Sequence, residues 1–91
     1  MKSQIENLST LVDDFCEERD WKQFYNIKDL AIGLTSEASE LLQIFLWKDS
    51  NEVKATLENQ ATRERIEEVS DVLFFILRIA HLNSIDLQTA F

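Results

Sequence analysis

A chain of 91 residues fits one domain, residues 1–91, and at this size a lone chain buries only a modest share of its surface, so association with further copies is expected. With 45% hydrophobic and 29% charged residues it is too apolar to stay disordered, while a formal charge of −8 disfavours nucleic acid and anionic membranes, which attract clustered Lys and Arg. The same charge opposes any phosphate-bearing ligand unless carboxylates hold divalent cations that reverse the local sign.

No proline and a single glycine leave helix as the default. One cysteine, Cys16, cannot form an intrachain disulfide, and no basic region followed by an apolar run opens the sequence, so the expected location is the cytoplasm. The longest apolar run, Val72 to Leu77, is too short to cross a bilayer.

Ile5, Leu8, Val12 and Phe15 draw one apolar stripe on a first helix over about residues 3–19, with Asp13, Asp14, Glu17 and Glu18 largely on its wet side. The segment Asp20 to Lys28 breaks the period but carries Trp21, Phe24 and Tyr25, which points to an ordered loop. Ile27, Leu30, Ala31, Leu34, Ala38, Leu41, Leu42 and Phe45 keep helical spacing for about five turns of a second helix. Residues 48–63 are polar and weakly periodic, as in a short helix or a structured connection. Thr62 is the expected N-cap of a third helix that runs unbroken through Ile66, Val69, Val72, Leu73, Ile76, Leu77, Ile79 and Ala80. Its middle, V-L-F-F-I-L, is apolar on every side and must be enclosed all round, which a chain this short can barely do without a second subunit. Asn83 and Ser84 end it, and Asp86 caps a last short helix from Leu87.

Two acidic pairs lie inside the best helices. Glu37 and Glu40 are three apart on the second helix, and Glu68 and Asp71 are three apart on the third, so each pair shares a face and two facing helices converge four carboxylates. An all-oxygen set selects a hard cation such as Mg²⁺. The placement is what distinguishes the set from a solvated acidic face: Glu68 and Asp71 abut the most apolar run, where an uncompensated carboxylate is costly to bury, and no run of Lys or Arg stands nearby. Gly33, Glu37, Glu40, Ile44 and Trp47 form one stripe, roughly opposite part of the core stripe, in which Gly33 either leaves room for a close neighbour or has no role. Glu64, Glu68, Asp71 and Phe75 align on the third helix. Trp21, Trp47 and Phe75 are each either core aromatics or rings that flank a metal-phosphate site and sandwich a nucleobase.

Glu-x-x-Glu followed on a later helix by Glu-x-x-Asp resembles the signature of the MazG-type all-α nucleoside triphosphate pyrophosphohydrolases. E-R-D-W-K-Q-F at Glu18 to Phe24, S-E-A-S-E-L-L-Q-I-F-L-W-K at Ser36 to Lys48 and E-E-V-S-D-V-L at Glu67 to Leu73 resemble the branch that contains the dCTP pyrophosphatases. The resemblance implies a four-helix-bundle-like all-α fold with its core completed by oligomerisation as a homodimer or a dimer of dimers. It further implies Mg²⁺, with Mn²⁺ as a substitute, on Glu37, Glu40, Glu68 and Asp71, which would be both the metal ligands and the catalytic set. By the same resemblance Trp21, Trp47 and Phe75 line the base pocket of a (deoxy)nucleoside triphosphate such as dCTP, hydrolysed between its α and β phosphates in nucleotide-pool cleansing. Similar enzymes continue past the last short helix into a segment with Lys, Asn and a Tyr-Pro pair, so phosphate contacts of that kind are not expected before Phe91. Phe75 stands where relatives carry tyrosine, so a hydroxyl contact is expected to be lost.

A di-iron bundle would need Glu-x-x-His pairs, and the only histidine, His81, has Arg78 at i−3. The remaining alternative is a non-enzymatic helical oligomerisation or regulatory module whose acids merely solvate a groove.

Overall fold

The computed structural model describes residues 3–21 and 26–91, and within them the secondary structure is helical, with no strand. The helices are α1 (Gln4–Glu18), α2 (Ile27–Phe45), α3 (Ser50–Leu57), α4 (Gln60–Glu67), α5 (Ser70–Leu82) and α6 (Leu87–Ala90). Short polar side chains start five of them by accepting an orphan first-turn amide. Ser3 takes the N–H of Glu6, Asn26 that of Asp29, Asp49 that of Glu52, Asn59 that of Thr62 and Asp86 that of Thr89, at 2.8 to 3.2 Å. Of the loop expected over residues 20–28, the part holding Phe24 and Tyr25 lies outside the described residues.

The expected unbroken third helix is two. Asn59, not Thr62, is the cap, and α4 and α5 meet at Glu68 and Val69. Both residues stay in the right-handed helical region, but the amides of Glu68, Val69, Asp71 and Val72 bond to the carbonyls three residues back, of Arg65, Ile66, Glu68 and Val69, at 2.9 to 3.1 Å. Such a turn is wound at about three residues instead of 3.6, so positions three apart fall directly in line. The chain direction is kept while the faces before and after the junction are rotated relative to each other. Periodicity could not show this, because Glu, Val and Ser there are all compatible with a continuous helix.

Helices α1 and α5 end on left-handed residues other than glycine. Asp20 after α1 and Ser84 after α5 have φ of 52° and 55°, and the next amides, of Trp21 and Ile85, reach back to the carbonyls of Cys16 and Ala80 at 3.0 and 2.9 Å. These are Schellman closures, which satisfy the last carbonyls of each helix.

Among the described residues, the buried apolar side chains are few: Cys16, Leu30, Ile44, Leu77 and Ala80. Helix α5 packs chiefly on α2 and next on α1. On α2, Leu30 of the expected core stripe is buried, and so are parts of the stripe expected roughly opposite it, since Ile44 is buried and a Cβ on Gly33 would overlap the Phe75 ring of α5. Conversely Ile27, Ala31, Ala38 and Leu42, expected in the core, are exposed. Gly33 therefore serves the close approach of α2 and α5.

Arg78 of α5 is fully buried and its Nη1 donates to Asp13 Oδ1 of α1 at 3.0 Å, with His81 Nε2 at 3.4 Å from the same oxygen. Asp13 thus belongs to the α1–α5 contact and not to the wet side of α1. A buried guanidinium needs its counter-charge, and removing one partner of such a pair costs about 3 to 5 kcal/mol. Asp13→Ala is expected at the low end, about 3 kcal/mol, because Asp13 keeps some solvent contact. In thermal melting that is a fall of at least about 12 °C for a domain of this size. A fall under about 4 °C would mean that the burial of Arg78 does not depend on Asp13.

Candidate metal-carboxylate site

The α2–α5 contact fixes an antiparallel register. Gly33 meets Phe75, and one turn further along each helix Glu37 feels the charge of Asp71. A further turn on, Glu40 and Ile44 line a cleft with Glu68, Val69 and Arg65. The cleft is small, about 80 Å³, and its remaining walls are Glu37, Leu41 and Gln43. Because the junction between α4 and α5 is wound at three residues per turn, Arg65, Glu68 and Asp71 lie in one line facing α2.

Glu37 is the electrostatic centre of this face. Its carboxyl is held above the ordinary glutamate range, first by partial burial and then by the negative charges of Glu40, Asp71 and Glu68, with a hydrogen bond to Glu40 acting the same way. A group whose folded pKa is raised favours the fold while protonated and weakens it as pH rises through that pKa. At neutral pH the four acids therefore oppose one another, and a cation among them relieves the repulsion. The donor set is all oxygen, as Mg²⁺ requires. Glu68 and Asp71 are exposed in the single chain, so the burial cost anticipated from the neighbouring apolar run does not apply to them here; repulsion between like charges does.

Arg65 does not stand out in the sequence, because it is a single Arg three residues before Glu68 and not part of a basic run.

A second acidic group, Asp13, Asp14 and Glu17 on α1, brings its ligand oxygens within 4.8 Å of one another. Asp13 of this group is also paired with Arg78 at 3.0 Å.

The three aromatics do not converge within one chain. Phe75 is packed over Gly33, and Trp21 stands edge-on to Phe15 at 5.3 Å. Phe15 in turn meets Phe74 at 6.2 Å, and Phe74 meets Phe75 at 5.3 Å, so Trp21 and Phe75 end one ladder of T-shaped rings. The Arg19 guanidinium lies 3.6 Å over the Phe15 ring.

Trp47 lies at the other end of α2, about 20 Å along the helix axis from Gly33 at 1.5 Å per residue. It is 93% exposed, which removes a core role for it within the single chain. Leu46 (φ −58°, ψ 134°) and Trp47 (φ 66°), closed by the Lys48 amide on the Phe45 carbonyl at 3.1 Å, form a type II turn. That turn puts a bulky aromatic where glycine is the usual residue, and such a position costs about 1 to 3 kcal/mol.

No known protein-family model matches the chain. Its sequence is 35% identical over 89 residues to human dCTP pyrophosphatase 1 and 33% identical over 87 residues to the rat protein of that name, in each case over 94% of the chain. The chain spans about half the length of these relatives, 51% of each. Its fold superposes on a pyrophosphatase from Archaeoglobus fulgidus with a TM-score of 0.87 at 29% identity, over 99% of the chain and 83% of that protein. The chain thus has the all-α fold of the MazG-type pyrophosphohydrolases and is similar in sequence to the dCTP pyrophosphatases.

Proposed function

We propose that the chain, as one domain, hydrolyses nucleoside triphosphates, dCTP or another deoxynucleotide among them, to the monophosphate and pyrophosphate, in the service of nucleotide-pool cleansing in the cytoplasm. One observation carries this reading: in a chain similar to the dCTP pyrophosphatases, Glu37, Glu40 and Glu68 of two helices line one cleft, with Asp71 near enough to help raise the Glu37 pKa. Among the described residues no helix is long and apolar enough to cross a membrane, which agrees with a substrate in aqueous solution.

In this reading Glu37, Glu40, Glu68 and Asp71 hold Mg²⁺, with Mn²⁺ as a substitute. When bound, the metal supplies neutralisation of the triphosphate and a water acidified for attack. The water oxygen bonds to the α-phosphorus, the bond from that phosphorus to the α,β-bridging oxygen breaks, and its electron pair leaves with pyrophosphate. The water proton passes to a carboxylate of the set.

Homo-oligomerisation completes the picture. The accessible surface of 7054 Å² exceeds the roughly 5,500 Å² of a compact monomer of this mass, and the radius of gyration of 15.8 Å exceeds the expected value of about 12 Å. The surplus, about 1,500 Å² per chain, is about twice what one partner gives to an interface of standard size. Exposed Ile27, Ile32 and Leu42 on α2 and Leu73 on α5 supply apolar area for it. If Trp47 and Phe75 serve one base, Trp47 comes from a second copy, since within one chain they stand too far apart.

Three outcomes are expected. Incubation with dCTP and Mg²⁺ or Mn²⁺ yields pyrophosphate and dCMP, and chelation stops it; release of inorganic phosphate instead would refute the reaction. Light scattering at micromolar concentration gives a dimer or a dimer of dimers, and a monomer would remove the oligomeric part of the reading. Trp47→Gly relieves the left-handed strain and raises thermal stability by about 1 kcal/mol. The same change raises KM by about tenfold or more, because base stacking is worth about 1 to 3 kcal/mol. Loss of folding in this variant would identify Trp47 as a packing residue.

A further inference from the structure

Arg65 stands at the edge of the carboxylate set, and its position calls for a role. It is the one basic side chain among those lining the cleft of Glu37, Glu40 and Glu68. Its carbonyl accepts the Glu68 amide at 3.1 Å, and the Glu68 carbonyl accepts the Asp71 amide at 2.9 Å. These bonds set the three side chains in line at one-turn intervals. Among the described residues, the ion pairs within 4.0 Å are those of Arg19 with Glu18 and of Arg78 and His81 with Asp13, so Arg65 is drawn into none of the acids beside it.

We propose that Arg65 is a positioning residue for the polyphosphate tail, its guanidinium holding oxygens of the β and γ phosphates that leave as pyrophosphate. The proposal rests on the reading of the site as a nucleoside triphosphate pyrophosphohydrolase centre. Order along the line supports it. Phe75 lies one turn beyond Asp71, Arg65 lies one turn before Glu68, and the acids stand between them. A nucleotide whose α-phosphate is at the acids and whose base is toward Phe75 brings its far phosphates to Arg65. In a chain of net charge −8, a guanidinium is the group suited to meet the charge that gathers on pyrophosphate as the bond to the α-phosphorus breaks. Its planar fork matches two phosphate oxygens at once, which an ammonium does not.

Binding to Arg65→Ala and Arg65→Lys is measured by calorimetry in Mg²⁺ with a dCTP analogue blocked at the α,β bridge, with pyrophosphate and with dCMP, beside turnover of dCTP. The expected result for Arg65→Ala is about tenfold or greater weakening for the analogue and pyrophosphate, as befits a lost charge-assisted contact. Affinity for dCMP stays unchanged and kcat/KM falls, while Arg65→Lys recovers part of both losses.

Equal weakening of dCMP, or unchanged binding of pyrophosphate, overturns the proposal. A purely structural Arg65 would lower the melting temperature and weaken all three ligands alike, which also overturns it; Arg65→Lys keeps the comparison open if the alanine variant does not fold. Glu68→Gln separates the two levels of inference. If it abolishes turnover while Arg65→Ala binds pyrophosphate normally, the role of Arg65 falls and the site stands. If Glu68→Gln turns over dCTP like the parent, the site itself is wrong.

Discussion

The meeting of Gly33 with Phe75 sets where α2 and α5 stand relative to each other. A side chain at position 33 would occupy the space of the Phe75 ring. With that contact made and the helices antiparallel, each four-residue step along α2 is matched by one along α5, about 6 Å at 1.5 Å per residue. Glu37 therefore comes level with Asp71, and Glu40 with Glu68, without any loop having to place them. A site carried on two packed helices is held more rigidly than one carried on loops. The same ring ends the ladder through Phe74 and Phe15 to Trp21, so α1 is braced against α5 from the Phe75 end while Asp13 and Arg78 brace it further along.

Much of this was legible because the signals are local. Asp86 sits where an N-cap belongs, Asn83 and Ser84 mark the end of α5, and the acid pairs at three-residue spacing read directly as helix faces. The α4–α5 junction was not legible, since tightening from i−4 to i−3 bonds changes neither residue preference nor apolar spacing over so short a stretch. Nor was the direction of α2. Its apolar residues cover more than one face, and sequence periodicity alone cannot say which face meets α5 and which is left for another surface. Ile27, Ala31, Ala38 and Leu42 form the face the single chain leaves open, whereas Gly33, Glu37 and Ile44 look inward.

The misjudged residues share a cause. Asp13 and Arg65 both take their surroundings from the fold: Asp13 pairs with Arg78, 65 positions further along, and Arg65 is brought into one cleft with Glu37 and Glu40. Asp13 reads as one more acid in a run of acids until the buried Arg78 is seen beside it. Arg65 reads as half of an ordinary surface charge pattern until the junction turns it into line with Glu68. Trp47 differs: its left-handed conformation contradicts local preference, and local preference is all that a sequence offers at a turn.

Three features of the chain work against its stability together: like charges gathered around Glu37, a tryptophan in a glycine conformation, and apolar side chains of α2 and α5 left in water. The buried apolar set of Cys16, Leu30, Ile44, Leu77 and Ala80 is small for carrying them, given that whole domains are stable by only about 5 to 15 kcal/mol. Features of this kind survive where the same residues are needed for something other than folding. Two of these are of a sort that binding can relieve: a cation offsets like charges, and a second copy covers exposed apolar area. Binding that selects the folded chain adds its free energy to folding, so occupancy and stability rise together.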